Sequence, residues 1–362
     1  MPPKVKKTYT RPASLASYRK AQEKKYGDRI IRKATRQALE FIPTGVTGLD
    51  LALGGGWARG RYHQIIGQPN TCKTSMVLIA MKNALDRWPD QGVVYLDVEK
   101  TVSEERFLAH GIDPDDDRLL WRSPASGEEV ADMLRDDLRS GLFSMAAIDS
   151  VGAMEREDAL YEKAASESVM GKAAQLLTRM SKQVTTISRE TNTAAFIVNQ
   201  YRKDFEGAFD KAAGPMIMGY MTTDSVAMRR LGGAENIVVV KEGGDDIEVA
   251  HKVVAKVERS KLRTQGAKAE FWYNKVAYDG AEVGIDVAAE AYDIGVKAGA
   301  IVPGKGYYWI FPDASTANGK AQSIAHLRDH PDLLEQVRVK SLENIANELT
   351  PEVDVEFDRV GE

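Results

Sequence analysis

The segment Gly67-Gln-Pro-Asn-Thr-Cys-Lys-Thr74 constrains this chain more than any other, because it ends an apolar run, Tyr62–Ile66, and opens a helical pattern, Lys73–Leu85. Strand, glycine-started loop and helix in that order make the phosphate-loop layout, Gly-x-x-x-x-Gly-Lys-[Ser/Thr]. Successive backbone N–H groups of such a loop converge on phosphate oxygens, and the helix N-terminus adds its partial positive charge. Lys73 then reaches the β- and γ-phosphates of ATP, and the Thr74 hydroxyl ligates Mg²⁺. The candidate nucleotide-binding set is Gly67, Gln68, Pro69, Asn70, Thr71, Cys72, Lys73, Thr74 and Ser75. Cys72 departs from the pattern, standing where the second glycine belongs. A side chain there predicts intact binding with slower hydrolysis than a glycine loop gives. A helix N-terminus also lowers a thiol pKa, which keeps a reactive cysteine open as a reading.

From about residue 61 to 200, further apolar runs alternate with amphipathic helical patterns. The runs are Val93–Val98, Phe143–Ile148 and Ala194–Val198; the helices are Ser103–His110, Glu128–Arg139 and Met170–Thr191. That alternation predicts α/β architecture with a largely parallel sheet. Leu176, Leu177, Met180, Val184 and Ile187 recur at helical spacing and read as a core-facing stripe. Between 236 and 280 the runs Ile237–Val240, Val253–Val257 and Phe271–Tyr273 are short and β-branched, which predicts antiparallel strands extending the sheet. After Gly280 come helices near Val287–Val296, Lys320–Asp329 and Asp332–Leu349 around one strand, Tyr307–Phe311. The expected organisation is a basic helical arm (1–40), the ATPase core (41–280), a small α/β domain (281–350) and an acidic tail (351–362).

Two more strands end in carboxylates. Phe143–Ile148 delivers Asp149, placed to hold Mg²⁺ with Thr74, and Val93–Val98 delivers Glu99, placed to orient an attacking water. Ligands of open α/β sheets collect at the carboxyl ends of strands, so Lys73, Glu99 and Asp149 form one coherent site.

A single cysteine excludes an internal disulfide and a zinc site of several thiolates, and fits a reducing compartment such as the cytoplasm. His326 and His330 share a helix face but lack the metalloprotease glutamate, so they read as surface histidines. No run approaches the ~18 apolar residues of a membrane span, and the N-terminal lysines precede no apolar stretch of the secretory kind. Net charge is −4, yet residues 1–40 carry twelve Lys/Arg against Glu23, Asp28 and Glu40. Residues 351–362 carry Glu352, Asp354, Glu356, Asp358 and Glu362 against Arg359. Such opposed ends suit a basic arm for DNA or a neighbouring subunit and an acidic tail that competes for basic surface. Charge alone supports equally well two solvated ends.

Several short segments together resemble the RecA family of bacterial and phage recombinases, from about residue 41 to 340. They are Pro43-Thr-Gly-Val-Thr-Gly-Leu-Asp-Leu-Ala-Leu-Gly54, Gly60-Arg61, Asp97-Val-Glu99, Ile148-Asp-Ser150, Met170-Gly171, Asn199-Gln200, Ala269-Glu-Phe271 and Asp293-Ile-Gly-Val-Lys-Ala-Gly-Ala-Ile301. The resemblance implies an ATP- and Mg²⁺-dependent enzyme that forms helical filaments on single-stranded DNA and exchanges strands with a duplex. It gives Glu99 the activation of water, Gln200 the sensing of the γ-phosphate, Arg106 the place of a base-stacking tyrosine, and Arg259 and Lys261 contact with the neighbouring subunit's nucleotide. It places DNA on two loops, Met154–Val169 with Met170 and Gly171, and about Tyr201–Thr223 with Arg202, Lys203, Phe205 and Gly219. The second loop's apolar residues, among them Phe209, Met216, Ile217, Met218 and Tyr220, suit wedges between bases. The implied partners are single- and double-stranded DNA, further copies of the chain, a single-strand-binding protein and a loading mediator. A ring helicase on the same core and a DNA-coating protein with little hydrolysis stand as rival readings, since fold does not fix function.

Overall fold

A computed structural model describes residues 14–26, 39–154, 167–203, 210–212 and 214–349. The chain divides into two units, Met1–Leu39 and Glu40–Glu362. The first contains the helix Leu15–Tyr26, which buries none of its residues and ends in Lys24 and Lys25. Basic residues in a last helical turn complement the partial negative charge of its free carbonyls.

In the second unit, β1 (Phe41–Ile42) and β2 (Trp57–Ala58) form a small ribbon. The large sheet begins with β3 (Tyr62–Gly67), β4 (Gly92–Asp97), β5 (Leu119–Arg122), β6 (Phe143–Asp149), β7 (Ala194–Lys203) and β8 (Asp210–Ala212). It continues with β9 (Asp224–Arg230), β10 (Ile237–Glu242), β11 (Asp245–Ser260), β12 (Lys268–Asn274) and β13 (Gly284–Ile285). The order is β13-β12-β11-β9-β3-β7-β6-β4-β5, with β10 beside β11 and β8 beside β7. From β9 to β5 every pairing is parallel; from β9 to β13 every pairing is antiparallel. The expected parallel core with an antiparallel extension is therefore the observed architecture.

Burial on both faces explains the continuous apolar character of the central strands: β3 is buried at all six positions, and β6 at all but Phe143. One core packs the helix Lys73–Arg87 against one face, with Met76, Val77, Met81, Phe196 and Val253. A second, on the helices Gly127–Ser140 and Glu167–Thr191, holds Leu134, Leu138, Ile148, Met180, Val184 and Ile187. A third core, with Ala291, Phe311, Leu327 and Val337, lies beneath the helices Val287–Lys297, Gly319–Asp329 and Pro331–Leu349.

The structure differs from the sequence reading in several places. β9 and β5 were not legible as strands. Tyr307–Phe311 is not a lone strand: β15 (Tyr308–Ile310) is flanked by β14 (Val302–Pro303) and β16 (Thr316–Asn318). The helix read as Met170–Thr191 starts at Glu167. The second loop is partly ordered: β7 runs on to Lys203, β8 pairs back onto it, and Met216–Met221 is helical after Pro215. Met218 anchors that helix by inserting into the second core, whereas Met216 and Tyr220 stay exposed.

Candidate functional site

The phosphate loop leaves the carboxyl end of β3 and turns into the helix Lys73–Arg87. Gly67 is required sterically, because a Cβ there would meet the Met228 carbonyl oxygen at 2.4 Å and Thr71 Oγ1 at 2.7 Å. Asn70 and Cys72 adopt left-handed backbone, with φ of 60° and 56°. Gln68 O accepts hydrogen bonds from Thr71 Oγ1 and Lys73 Nζ, both at 2.8 Å, so the lysine folds back over its own loop. Burial lowers the Lys73 pKa, opposed by Asp149 and Glu99. Cys72 belongs to the apolar core, with Met76 inside it and Tyr273 packed alongside. Burial raises its thiol pKa, outweighing Lys73. The reactive-thiol reading is thereby corrected: desolvation of the thiolate wins over the helix N-terminus.

Two parallel strands bring the carboxylates to this loop. Asp149, at the end of β6, is 5% exposed and accepts from Thr74 Oγ1 at 2.6 Å and from the Tyr95 hydroxyl at 2.9 Å. Burial raises its pKa, while these two hydrogen bonds pull it back. A hydroxyl and a carboxylate oxygen side by side are hard donors of the kind Mg²⁺ takes in pairs, completing its octahedron with water and phosphate. Among the described residues no cluster of three or more His, Cys, Asp or Glu could hold a metal by itself. Asp97 is register partner to Asp149, but its carboxylate accepts the backbone N–H groups of Thr101 and Val102, which fixes the turn beyond β4.

Glu99 sits in that turn, and its backbone N–H donates to the Asp149 carbonyl at 3.3 Å. Its Oε1 accepts from the Ser150 hydroxyl and from Gln200 Nε2, the latter at 2.9 Å. Gln200 is the register partner of Gly67 across β3 and β7, which sets the glutamine beside the phosphate loop. Lys73, Thr74, Asp149, Glu99 and Gln200 thus converge at the carboxyl ends of four adjacent strands, where the α/β rule expects a ligand.

The contacts of Tyr95 with Asp149, Ser150 with Glu99 and Tyr273 with Ser75 are not legible in the sequence. Ser75 Oγ and the Tyr273 hydroxyl are 2.6 Å apart, tying the nucleotide helix to β12. Burial raises the pKa of the Tyr273 hydroxyl, and Arg106, half-buried on the short helix Glu104–Leu108, is among the groups that oppose it.

Arg259 and Lys261 do not join this group. Register places Ser260 opposite Asp224, and Asp224 opposite His63, near the amino end of β3; Gly67 lies at its other end. Four residues of strand separate those ends by ~13 Å. The Arg259 guanidinium stacks 4.6 Å from the Tyr220 ring, and Lys261 Nζ donates to the carbonyls of Tyr220 (2.6 Å) and Met221 (3.2 Å).

Of the DNA-binding candidates, Gly219 lies in the helix Met216–Met221. Met170 and Gly171 fall within the helix Glu167–Thr191, and Arg202 and Lys203 at the end of β7; their side chains, and all of Phe205, lie outside the described residues. A cleft of about 450 Å³ that the sequence did not announce flanks the phosphate loop at Gln68, Pro69 and Thr71, and Arg229, Arg230, Lys256 and Lys268 line it.

Comparison with known proteins identifies the family. The family model described as the RecA N-terminal domain matches residues 14–273. Protein RecA of Nocardioides sp. is 30% identical over 345 residues, 92% of this chain and 91% of that protein. Protein RecA of Psychrobacter arcticus is 30% identical over 83% of this chain and 81% of its own length. Protein RecA of Thermus thermophilus is 28% identical over 91% and 94%, respectively.

Proposed function

The chain belongs to the RecA family, and from that premise we propose that it is a DNA-dependent ATPase that assembles head-to-tail on single-stranded DNA and exchanges strands with a homologous duplex. The observation that carries this reading is the Glu99–Gln200 hydrogen bond at the mouth of the phosphate loop. Gln200 lies on β7, which continues to Lys203 and into the segment assigned to DNA. A phosphate drawn to Gln200 competes for the amide now held by Glu99. Freed Glu99 can then orient water, while the shift in β7 reaches the DNA segment. The γ-phosphate and DNA are linked in this way through β7.

Thr74 and Asp149 would hold Mg²⁺ between them, and the ion would neutralise charge on the β- and γ-phosphates. Lys73 leaves Gln68 O to meet those phosphates. Arg259 and Lys261 lie at the wrong end of β3 to serve their own protomer's nucleotide, which supports their delivery to a neighbour's in a head-to-tail, heterologous assembly. Tyr220 and Met216, exposed beside Gly219, suit stacking or wedging between bases. The cationic cleft beside the phosphate loop suits a second phosphate backbone. Among the described residues no helix is long and apolar enough to cross a membrane. The single cysteine fits a reducing compartment, and on that ground we place the reaction in the cytoplasm.

Strand exchange measured with ATP, with ADP and with no nucleotide tests the reading. Joint molecules with ATP alone, on filaments seen by electron microscopy, are the expected result. Rings with duplex unwinding would establish the helicase reading instead. DNA coating without turnover would establish a binding protein.

A further inference from the structure

The cation pair of β11 is built around a buried hydroxyl, and we propose that Ser260 is its positioning residue, acting with Asp224. The proposal rests on the assignment of Arg259 and Lys261 to a neighbour's nucleotide and adds what holds them in place.

A β-bulge comes first. Val257 pairs with Val226 and Arg259 with Ser225, so Glu258 is an extra residue on β11. Uninterrupted alternation from buried Val257 would turn Arg259 into the core. The inserted residue shifts the phase, leaving Glu258 exposed, Arg259 half-exposed, Ser260 buried and Lys261 exposed. Two cations therefore flank one buried hydroxyl.

That hydroxyl is fully engaged. Ser260 Oγ donates to Asp224 Oδ1 at 2.7 Å and accepts the backbone N–H groups of Leu262 (3.1 Å) and Arg263 (2.9 Å). It fixes both the strand end and the turn that follows Lys261. Asp224 is 2% exposed, and its Oδ2 lies 3.0 Å from Nδ1 of His63, itself 0% exposed. Nε2 of His63 is 2.8 Å from the Ala58 carbonyl oxygen, an acceptor, so Nε2 carries the proton in that contact. The contact with His63 lacks hydrogen-bond geometry, so the Ser260–Asp224 hydrogen bond is the buried anchor beside the cation pair.

A buried hydroxyl–carboxylate pair stabilises one geometry only when it is hydrogen-bonded, as Ser260 and Asp224 are. Without Ser260 the Asp224 carboxylate loses its donor, and two backbone N–H groups lose their acceptor. The Lys261 backbone N–H still donates to the Thr223 carbonyl at 2.9 Å, but the direction in which the strand end leaves is no longer fixed. In the single protomer both cations rest on Tyr220 and Met221, so they must swing to reach a neighbour. A fixed backbone with mobile side chains permits that movement, and Ser260 is the fixed point.

The test is single-stranded-DNA-stimulated ATP hydrolysis by Ser260→Ala, Ser260→Thr, Lys261→Met and the double variant Ser260→Ala/Lys261→Met. Ser260→Ala should lower kcat about tenfold or more, because misplacing a charge by about 1 Å suffices for that, while KM for ATP moves less than about twofold. Ser260→Thr, which keeps the hydroxyl, should restore most of the rate. In the Lys261→Met background Ser260→Ala should add less than about a twofold loss, since groups acting through one another are non-additive. Full additivity, or a loss confined to KM, overturns the proposal. If Ser260→Ala does not fold, Asp224→Asn enters the same cycle with the same expectation. Wild-type turnover by Lys261→Met would refute the cation assignment and the proposal with it. A slow Lys261→Met beside a wild-type Ser260→Ala would overturn the positioning role alone.

Discussion

Gln200 donates from Nε2 to Glu99 Oε1 across 2.9 Å, and the same oxygen accepts the Ser150 hydroxyl. This joins β7 to the turn beyond β4, with the end of β6 between them. A carboxylate held from two sides has a defined orientation before any nucleotide arrives.

Glu99→Gln separates binding from chemistry. The amide keeps the size of the side chain and an oxygen for both donors, but removes the anion that polarises water. Hydrolysis should fall about 100-fold or more, within the range general-base loss produces, while filaments on single-stranded DNA persist longer than those of wild type. Phosphate release and filament lifetime are the measurements. Glu99→Gln with normal turnover would move the water-activating role elsewhere.

Cys72 should be inert in the folded protein. The thiolate is the nucleophile, and burial both raises this thiol's pKa and covers it. A chromogenic disulfide reagent at pH 8 should label the native protein far more slowly than the protein unfolded in guanidinium. Equal rates would show that the side chain faces the phosphates and not the core.

Much of this site was legible because its parts are local. Gly67–Thr74 carries strand, turn and helix signals within one short window, and Asp149 and Glu99 follow apolar runs broken only by Ser144 and by Asp97. β9 was not legible: Asp224-Ser-Val-Ala-Met-Arg-Arg230 has polar residues on both faces, yet lies between β3 and β11. Its buried Asp224 accepts from Ser260, 36 residues onward, and lies beside His63 on the neighbouring parallel strand. Tyr95 and Tyr273 were hidden for a related reason. Each sits in a strand that reads as ordinary core, and only pairing of distant strands brings its hydroxyl to Asp149 or Ser75. The helix Met216–Met221 depends likewise on Met218 finding the second core.

Asp50 should make stability depend on pH in a direction opposite to that of a salt-bridged carboxylate. Burial pushes its pKa up from an ordinary 3.8 to about 6, although the Thr44 backbone N–H donates to it at 2.8 Å. Between these values the folded state binds the proton that the unfolded state has lost. Stability from this group is therefore full below pH ~4, declines as pH rises through ~6, and is flat above. Asp50→Asn keeps an oxygen for Thr44 and removes the charge. It should stabilise by about 1 kcal/mol or more at pH 7.5, with the advantage vanishing near pH 4. Thermal melts at the two pH values decide it; a gain at pH 4 equal to that at pH 7.5 would remove ionisation as the cause.

Arg259 and Lys261 should act across a subunit boundary. Arg259→Ala/Lys261→Ala protein lacks the donated cations but retains Lys73, Glu99 and Asp149 at its own phosphate loop. Glu99→Gln protein has the reverse deficit. In a mixed filament, a junction where the Glu99→Gln protomer donates cations to the double variant's nucleotide contains every required group. Random mixing at equal concentrations makes about one junction in four competent in a head-to-tail chain, so turnover should recover to about a quarter of wild type from two nearly inactive proteins. The readout is ATP hydrolysis on single-stranded DNA across a series of mixing ratios, with co-assembly followed by energy transfer between labelled protomers. Recovery should peak near equal amounts. Mixed filaments that show no recovery at any ratio would place the two cations in the service of their own protomer, against the ~13 Å that β3 sets between them and the phosphate loop.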